Sequence, residues 1–515
     1  MALVAAFYLF PFIRIMPSNG DEGQVPYRDF FETFTPGSFY WVAAVLHLFG
    51  ATMATAQGLL LATGVVLALL VDRCSRHLTP GSYDLLPTTL FLVFGLPFWP
   101  LISHHWDSTV LAMLTCRALL RWCRRPTSRG LLATGWWAGL TALFLQTKGV
   151  AIFLGSWTTV LLATRRQGMD WREGARRTGA LAAGPLLLGL ATLFFFQTQG
   201  ALAPLLDAVV RFPLTRYANV SGLPYGHFFW ESVVPGAIAP GPLAPLLRLT
   251  LIVPGLIVLY GPFALLLCLF ARLMPWGREG PIDLQVVGLY LSAFALWASE
   301  LHRPCFAHLL FGSPLLYVAG LHALRLVEPH RPRLFRGMAF CLLACLAIFG
   351  LGTMMATWEK GTLLATRRGP MVAFGPDPGL AFLLQETRPG EEVFIYPYNT
   401  GYYFLADVRN PTRFSHLLYG YHRPEQFAEA IQALETRQVG LVLLNTLNTP
   451  EQMHPGYLSL GLPSREERVM ENHLERRYRE VATVGCFQVL RRREDIAAPP
   501  ADVPVASVSA AAAAE

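Results

Sequence analysis

Apolar runs long enough to cross a bilayer recur along this chain to about residue 357, and the breaks between them are short and rich in arginine. A helix needs about 20 apolar residues to span the hydrocarbon core, where every backbone polar group must be paired within the segment. Few folds satisfy so many runs of this length, and the pattern reads as a polytopic α-helical membrane protein. Composition agrees. Charged residues make up 15% of the 515-residue chain, against ~25% in soluble domains.

Eleven candidate transmembrane spans follow, at 2–16, 53–71, 84–102, 106–122, 130–147, 149–164, 178–197, 249–271, 284–299, 309–324 and 338–357. Arginines gather after alternate spans, for example at Arg73 and Arg76, at Arg121, Arg124 and Arg125, and at Arg331, Arg333 and Arg336. Positive charge marks the cytoplasmic side, so these clusters agree on a cytoplasmic N-terminus. The net charge of +7 therefore reports topology and not a nucleic-acid partner. The apolar start lacks a basic n-region and a small-residue cleavage site, and reads as a short first span. Eight cysteines show no paired spacing, so neither a disulfide framework nor a metal cage is implied.

The opposite face holds the first outer loop 17–52, the turns at 103–105 and at Lys148, the segment 198–248, the turn 300–308, and everything after 358. From there the composition becomes that of a soluble domain. Helical spacing at 376–387, 424–438 and 464–478 alternates with strand-like EEVFIYPY, VGLVLLNT and VATVGCFQVLRR. This alternation predicts a small α/β domain over 358–495 outside the cytoplasm. An Ala-, Pro- and Val-rich tail, 496–515, reads as disordered.

The chemistry therefore lies on the outer face. Asp21, Glu22, Arg28, Asp29 and Glu32 crowd the first loop, and carboxylates at a membrane boundary need water or a role. Asp21, with Glu22 beside it, is either a catalytic base or part of a solvated polar loop, capping a helix start. Asp29 either acts in its place or pairs with Arg28. Lys148, one of two lysines in the chain, either contacts a phosphate as a compact ammonium or snorkels from a span end. Arg303 and His308, in HRPCFAH just before another span, are candidate site residues or plain interface residues. His104, His105 and Asp107 read as a polar turn, since adjacent histidines diverge on a helix. Arg216 and Tyr217 lie in the aromatic, proline-rich outer segment, where a lipid tail could be guided.

Five stretches carry a resemblance: GQVPYRDFFETFTPGSFY, SHHWDSTVLA, QTKGVAIFLG, HRPCFAHLLFGSP and YNTGYYFLADVRNPTRF. Together and in this order the chain resembles the GT-C membrane glycosyltransferases, in particular the bacterial protein-mannosyltransferase-like group. That group includes the aminoarabinose and galacturonic-acid transferases. The resemblance implies a transmembrane glycosyltransferase domain over 1–357 with an inner-membrane location. It implies an inverting transfer of a monosaccharide from a polyprenyl-phosphate donor to a lipid, glycan or protein acceptor outside the cytoplasm. Asp21, Glu22 or Asp29 would take the acceptor proton. Arg28, Lys148, Arg216, Tyr217, Arg303 and His308 would hold the substrates. No cofactor and no metal are expected. The chain departs from the pattern twice: Asp21 stands five residues before Pro26, where a longer helical stretch is usual, and Cys305 stands where an acid is usual. A catalytically degenerate relative or a transporter of lipid-linked glycans is the alternative.

Overall fold

The structure, a computed structural model, describes residues 24–495 apart from positions 82, 99, 101, 218–222, 238–243, 274–282, 327, 374 and 454–462. The expected first span at 2–16 and the tail at 496–515 lie outside the described residues.

Helices dominate up to residue 360. Among them are α1 Gly37–Phe49, α2 Met53–Leu78, α3 Leu86–Leu90, α4 His104–Arg124, α5 Ser128–Phe144, α6 Gln146–Arg166, α7 Trp171–Thr198, α8 Ala244–Leu273, α9 Leu284–Ala298, α10 Pro314–Arg325 and α11 Pro332–Lys360. Side-chain caps start several of them. Thr52, Ser103, Thr127 and Asp170 each accept a hydrogen bond from a first-turn amide of α2, α4, α5 and α7, which satisfies a donor the helix itself leaves open. Among the described residues, four segments are long and apolar enough to cross a membrane: Met53–Leu78, Trp171–Thr198, Thr250–Ala271 and Pro332–Met355. Shorter apolar helices accompany them. The chain is a helical membrane protein.

Two expected spans differ, and that at 309–324 is broken at Gly312 and Ser313, between a short helix Phe306–Phe311 and α10. Instead of a continuous helix over 84–102, α3 passes into a π-helical turn, Phe91–Gly95, and then a 3₁₀ turn, Leu96–Phe98. Pro87 and Pro97 cannot donate within a helix, and Gly95 weakens it. The first loop, in turn, contains α1. Its 13 residues rise only about 20 Å, short of a hydrocarbon core of about 30 Å.

Close helix approach uses small residues. Gly135 on α5 meets the Leu181 carbonyl oxygen of α7, and Gly184 on α7 meets the backbone at Trp136. Pro185 has no N–H to bond that Leu181 carbonyl, so the exposed oxygen lies where α5 carries no side chain. Packing of this kind is how helices associate in lipid.

After α11 a short ribbon, β1 Thr362–Leu364 with β2 Met371–Ala373, precedes a four-stranded sheet. Its strands are β3 Val393–Tyr396, β4 Leu441–Asn445, β5 Tyr478–Val484 and β6 Phe487–Arg492, in the order β3-β4-β6-β5. β3 and β4 run parallel, joined by a crossover that holds α13 Pro424–Thr436; α12 Pro378–Glu386 precedes β3 and α14 Val469–Arg477 precedes β5. Alternate residues serve two cores. Phe394, Tyr396, Val442 and Leu490 pack with Tyr27 and Phe31 of the first loop and with Phe212. Val393, Ile395, Leu443 and Val489 pack with Val42, Leu46 and Met53 of α1 and α2. Burial on both faces explains why β3 and β4 read as continuous apolar runs. It also fixes the sheet over the first loop, and so over the site.

Candidate active site

Three helix ends meet beneath the first loop: the starts of α4 and α6 and the end of α9. Ser103 caps α4 by accepting from the His105 amide at 3.2 Å, which places His104 and His105 in the first turn. Lys148 sits in the first turn of α6, and Glu300 follows the last turn of α9. Lys148 Nζ lies 2.7 Å from Glu300 Oε1, and neither side chain is exposed. His105 Nδ1 lies 3.0 Å from Glu300 Oε2. Lys148 also donates to the His105 carbonyl at 3.0 Å and to Thr109 Oγ1 at 2.7 Å. An ammonium has three protons, and all three are taken. Two helix N-termini also face this carboxylate, and their partial positive charge favours it.

The turn after Glu300 brings more imidazoles. The His302 ring lies parallel to that of His105 at 6.2 Å, and the His308 ring stands edge-on to both at 6.2 and 5.3 Å. His308 Nδ1 is 3.0 Å from Cys305 Sγ, so the thiol at the position of the expected acid has an imidazole partner. Arg303 is half-buried in the same turn, its amide bonded to the Glu300 carbonyl at 3.1 Å. His104 stacks on Phe34 with centroids 3.8 Å apart. Asp107 takes a hydrogen bond from Ser38 of α1, so the expected polar turn belongs to the packed interior.

The first loop is tied down from two sides. Gln146, the first residue of α6, donates to the Thr33 carbonyl at 2.9 Å and accepts from the Thr35 amide at 3.2 Å. From the other side, the Phe31 amide bonds the Arg413 carbonyl at 2.7 Å, and Ser415 Oγ donates to Glu32 Oε1 at 3.1 Å. Glu32 is buried, and burial pushes its carboxyl up to about 7, against the opposing pull of the Ser415 hydrogen bond. Asp29 faces elsewhere. Arg28 holds it bidentately at 2.8 Å, and the Val25 amide donates to it at 2.8 Å. The Arg28 hydrogen bond keeps the Asp29 carboxyl below its usual range. Asp29 lines a polar cleft with Asn410, Arg413 and Glu429, while Arg28 also reaches the Gln199 carbonyl at 3.0 Å.

A cavity of about 490 Å³ opens beside the three helix ends. Its described lining includes Thr33 and Phe34 of the first loop, Gln146 and Thr147 of α6, Leu214 and Tyr217, and His302. The lining is otherwise apolar, as suits a lipid-linked ligand. Tyr217 closes a π-helical turn, Pro213–Tyr217, and its ring lies 5.8 Å from His302 and 6.2 Å from Tyr421. Arg216 is half-buried beside it but does not line the cavity. The expected residues thus divide. Lys148, Tyr217, Arg303 and His308 gather at the helix ends, Arg28 and Asp29 pair with each other at the sheet side, and Asp21 and Glu22 lie outside the described residues. Glu300, His302 and Gln146 join the site without having been singled out. The one sequence signal for Glu300 is a carboxylate placed directly after an apolar span.

No family model matches the chain, and no curated protein matches it in sequence. Solved structures do match in fold. A crystal structure of ArnT from Cupriavidus metallidurans bound to undecaprenyl phosphate aligns with a TM-score of 0.50 and 11% identity, covering 91% of this chain and 90% of that one. ArnT from the same organism in the apo state aligns with a TM-score of 0.51 and 12% identity, covering 96% and 94%. Over nearly its whole length, the chain has the fold of ArnT.

Proposed function

We propose that this protein is an inverting glycosyltransferase of GT-C architecture. It would move a monosaccharide from a polyprenyl-phosphate donor to a lipid, glycan or protein acceptor outside the cytoplasm. The observation that carries this reading is the apolar cavity at the meeting of the first loop, the start of α6 and the turn after α9, in a chain with the fold of a protein crystallised with undecaprenyl phosphate. The apolar walls suit a prenyl chain. No side chain caps the start of α6, and the helix dipole favours a negative group such as a phosphate there. Lys148 would act on that phosphate through the field of the cluster, because its protons are held by Glu300, His105 and Thr109. Arg303, His308 and Arg216 would serve as the further polar contacts at its rim. In this reading the chain has about eleven spans and a cytoplasmic N-terminus, with residues 358–495 outside.

A phosphate is a good leaving group, so the reaction needs cations and oriented dipoles near it more than an acid. The acceptor hydroxyl needs a base. One observation favours a second reading, binding without transfer: Asp29 and Lys148 are both neutralised by partners. The test is sugar transfer by the purified protein in detergent, with a panel of undecaprenyl-phosphate sugars and radiolabelled acceptor lipids, glycans and peptides. Release of undecaprenyl phosphate coupled to acceptor labelling supports the transferase. Saturable donor binding without labelling supports the second reading.

A further inference from the structure

We propose that the helix ends opposite the cavity hold a binding site for the phosphate headgroup of an acidic membrane lipid, built on Arg117, Arg121 and Arg124 of α4. The site does not depend on the transferase reading above. The three arginines stand four and three residues apart, so they share one face of α4. Leu120 lies between them, and its carbonyl accepts from Gln285 in the first turn of α9 at 3.1 Å. The same Gln285 nitrogen lies 3.0 Å from His77 Nε2 in the last turn of α2. One amide side chain therefore ties three helix ends together beside the arginines. An amide nitrogen can only donate, so His77 accepts at Nε2 and keeps its proton on Nδ1, which adds a donor to this face.

Cations are in excess here. Arg117, Arg121 and Arg124 all act on the His77 ring, against one carboxylate, that of Asp283. Asp283 is occupied in capping α9, where it accepts from the Gln285 amide at 2.8 Å. Among the described residues, none of the three arginines has a carboxylate partner. The residues just before Asp283, 274–282, add one arginine and one glutamate, Arg278 and Glu279, and so leave the excess unchanged.

Topology alone accounts for exposed arginines at a helix end, such as Arg121 and Arg124. It does not account for Arg117. That residue is half-buried and sits one turn, about 5 Å, further into the bundle, where an unmatched charge is costly. Its long side chain can reach outward, and an acidic phosphate met there would supply the missing counter-charge. Guanidinium forks match phosphate oxygens in pairs, and basic pockets between helix ends are where acidic headgroups bind. The source of the phosphate follows from position. α2 is long and apolar enough to cross the membrane and ends at this cluster, which places the arginines at headgroup level.

The experiment titrates the purified protein in detergent with phosphatidylglycerol, phosphatidylcholine and inorganic phosphate, read by native mass spectrometry and by thermal unfolding. Wild type should bind phosphatidylglycerol saturably and in preference to phosphatidylcholine, and inorganic phosphate should not protect it. Arg121→Gln with Arg124→Gln should weaken that binding about 25-fold, at about fivefold per arginine beside an acidic headgroup. Both residues are exposed, so this variant tests the site without disturbing packing, and it decides the matter even if Arg117→Gln does not fold. Arg166→Gln with Arg172→Gln removes the same charge from the same face, at residues that do not act on His77, and should leave the binding unchanged. Equal weakening in the two double variants would reduce the site to the diffuse field of the whole face. Equal binding of phosphatidylcholine would remove the need for net negative charge, and full protection by inorganic phosphate would make the ligand a soluble one. Each of these three outcomes overturns the inference.

Discussion

Lys148 and Glu300 form an ion pair with both side chains fully enclosed, Nζ to Oε1 2.7 Å, at the meeting of α6 and the end of α9. Removing one member of such a pair leaves a buried charge unmatched, at a cost of about 3–5 kcal/mol. Replacing both by apolar groups of similar size costs far less. Lys148→Met and Glu300→Leu should each lower stability strongly, and the double variant should lie nearer wild type than either. Thermal unfolding in detergent, followed by tryptophan fluorescence, gives the comparison. Additive losses in the double variant would mean that the two residues do not share one electrostatic unit.

Gln146 bears on the geometry of the cavity more than on its charge. It holds the first loop at both Thr33 and Thr35, so the cavity wall depends on one amide side chain. Gln146→Leu strands a part-buried carbonyl and a part-buried N–H, which costs about 1–3 kcal/mol. Hydrogen exchange should quicken at the Thr35 amide. It should stay slow at the Phe31 amide, whose partner is the Arg413 carbonyl on the sheet side. Equal quickening at both would show that the loop opens as one piece and that Gln146 is not a separate clamp.

Glu32 predicts a pH dependence of stability. Its carboxyl keeps a proton up to about 7 in the folded chain because it is buried, against an ordinary value of 4.5. Between those values the folded state holds a proton that the unfolded state has lost, so stability falls as pH rises through this window and levels off above 7. The full effect is about 3 kcal/mol at 1.36 kcal/mol per pH unit. Glu32→Gln keeps an acceptor for Ser415 and removes the titration. It should melt above wild type at pH 8 and alongside it at pH 4.5. A constant offset at both pH values would contradict the assignment.

The sequence was most legible where one residue carries its own signal. Apolar length announces α2, α7, α8 and α11. Strands buried on both faces announce β3 and β4, and each was expected within three residues of its observed ends. Lys148 stands out because lysine is otherwise nearly absent. Its partner does not stand out. Glu300 reaches it only because α6 and α9 pack side by side, and nothing local in SELHRP reports that. The same holds for His302. Its Nδ1 turns to the Ser299 carbonyl, and it joins a cavity wall assembled from distant segments. Asp29 shows the converse: Arg28 is its chain neighbour, and that local pairing was one of the two readings open from sequence. The break in α3 was foreshadowed by Pro87 and Pro97, but their effect gives way to tertiary packing often enough that the pattern alone suggested a straight span.

The crossing of α5 and α7 yields the last prediction. Where Gly135 passes α7, a methyl group would collide with the Leu181 carbonyl oxygen, and where Gly184 passes α5 it would collide with the backbone of Trp136. Backbone cannot rotate aside as a side chain can, so the helices must separate. Forcing extra groups into a packed contact costs about 1–3 kcal/mol, and the lost packing between helices is not recovered by lipid. Gly189 offers an internal control on the same helix, since a methyl there meets nothing within 4 Å. Gly135→Ala and Gly184→Ala should therefore lower the melting temperature and the monodisperse yield in detergent. Gly189→Ala should leave both unchanged or raise the melting temperature slightly, because alanine is the better helix former. If all three variants behave alike, the close crossing does not exist in the folded protein, and the α5 segment must pack elsewhere.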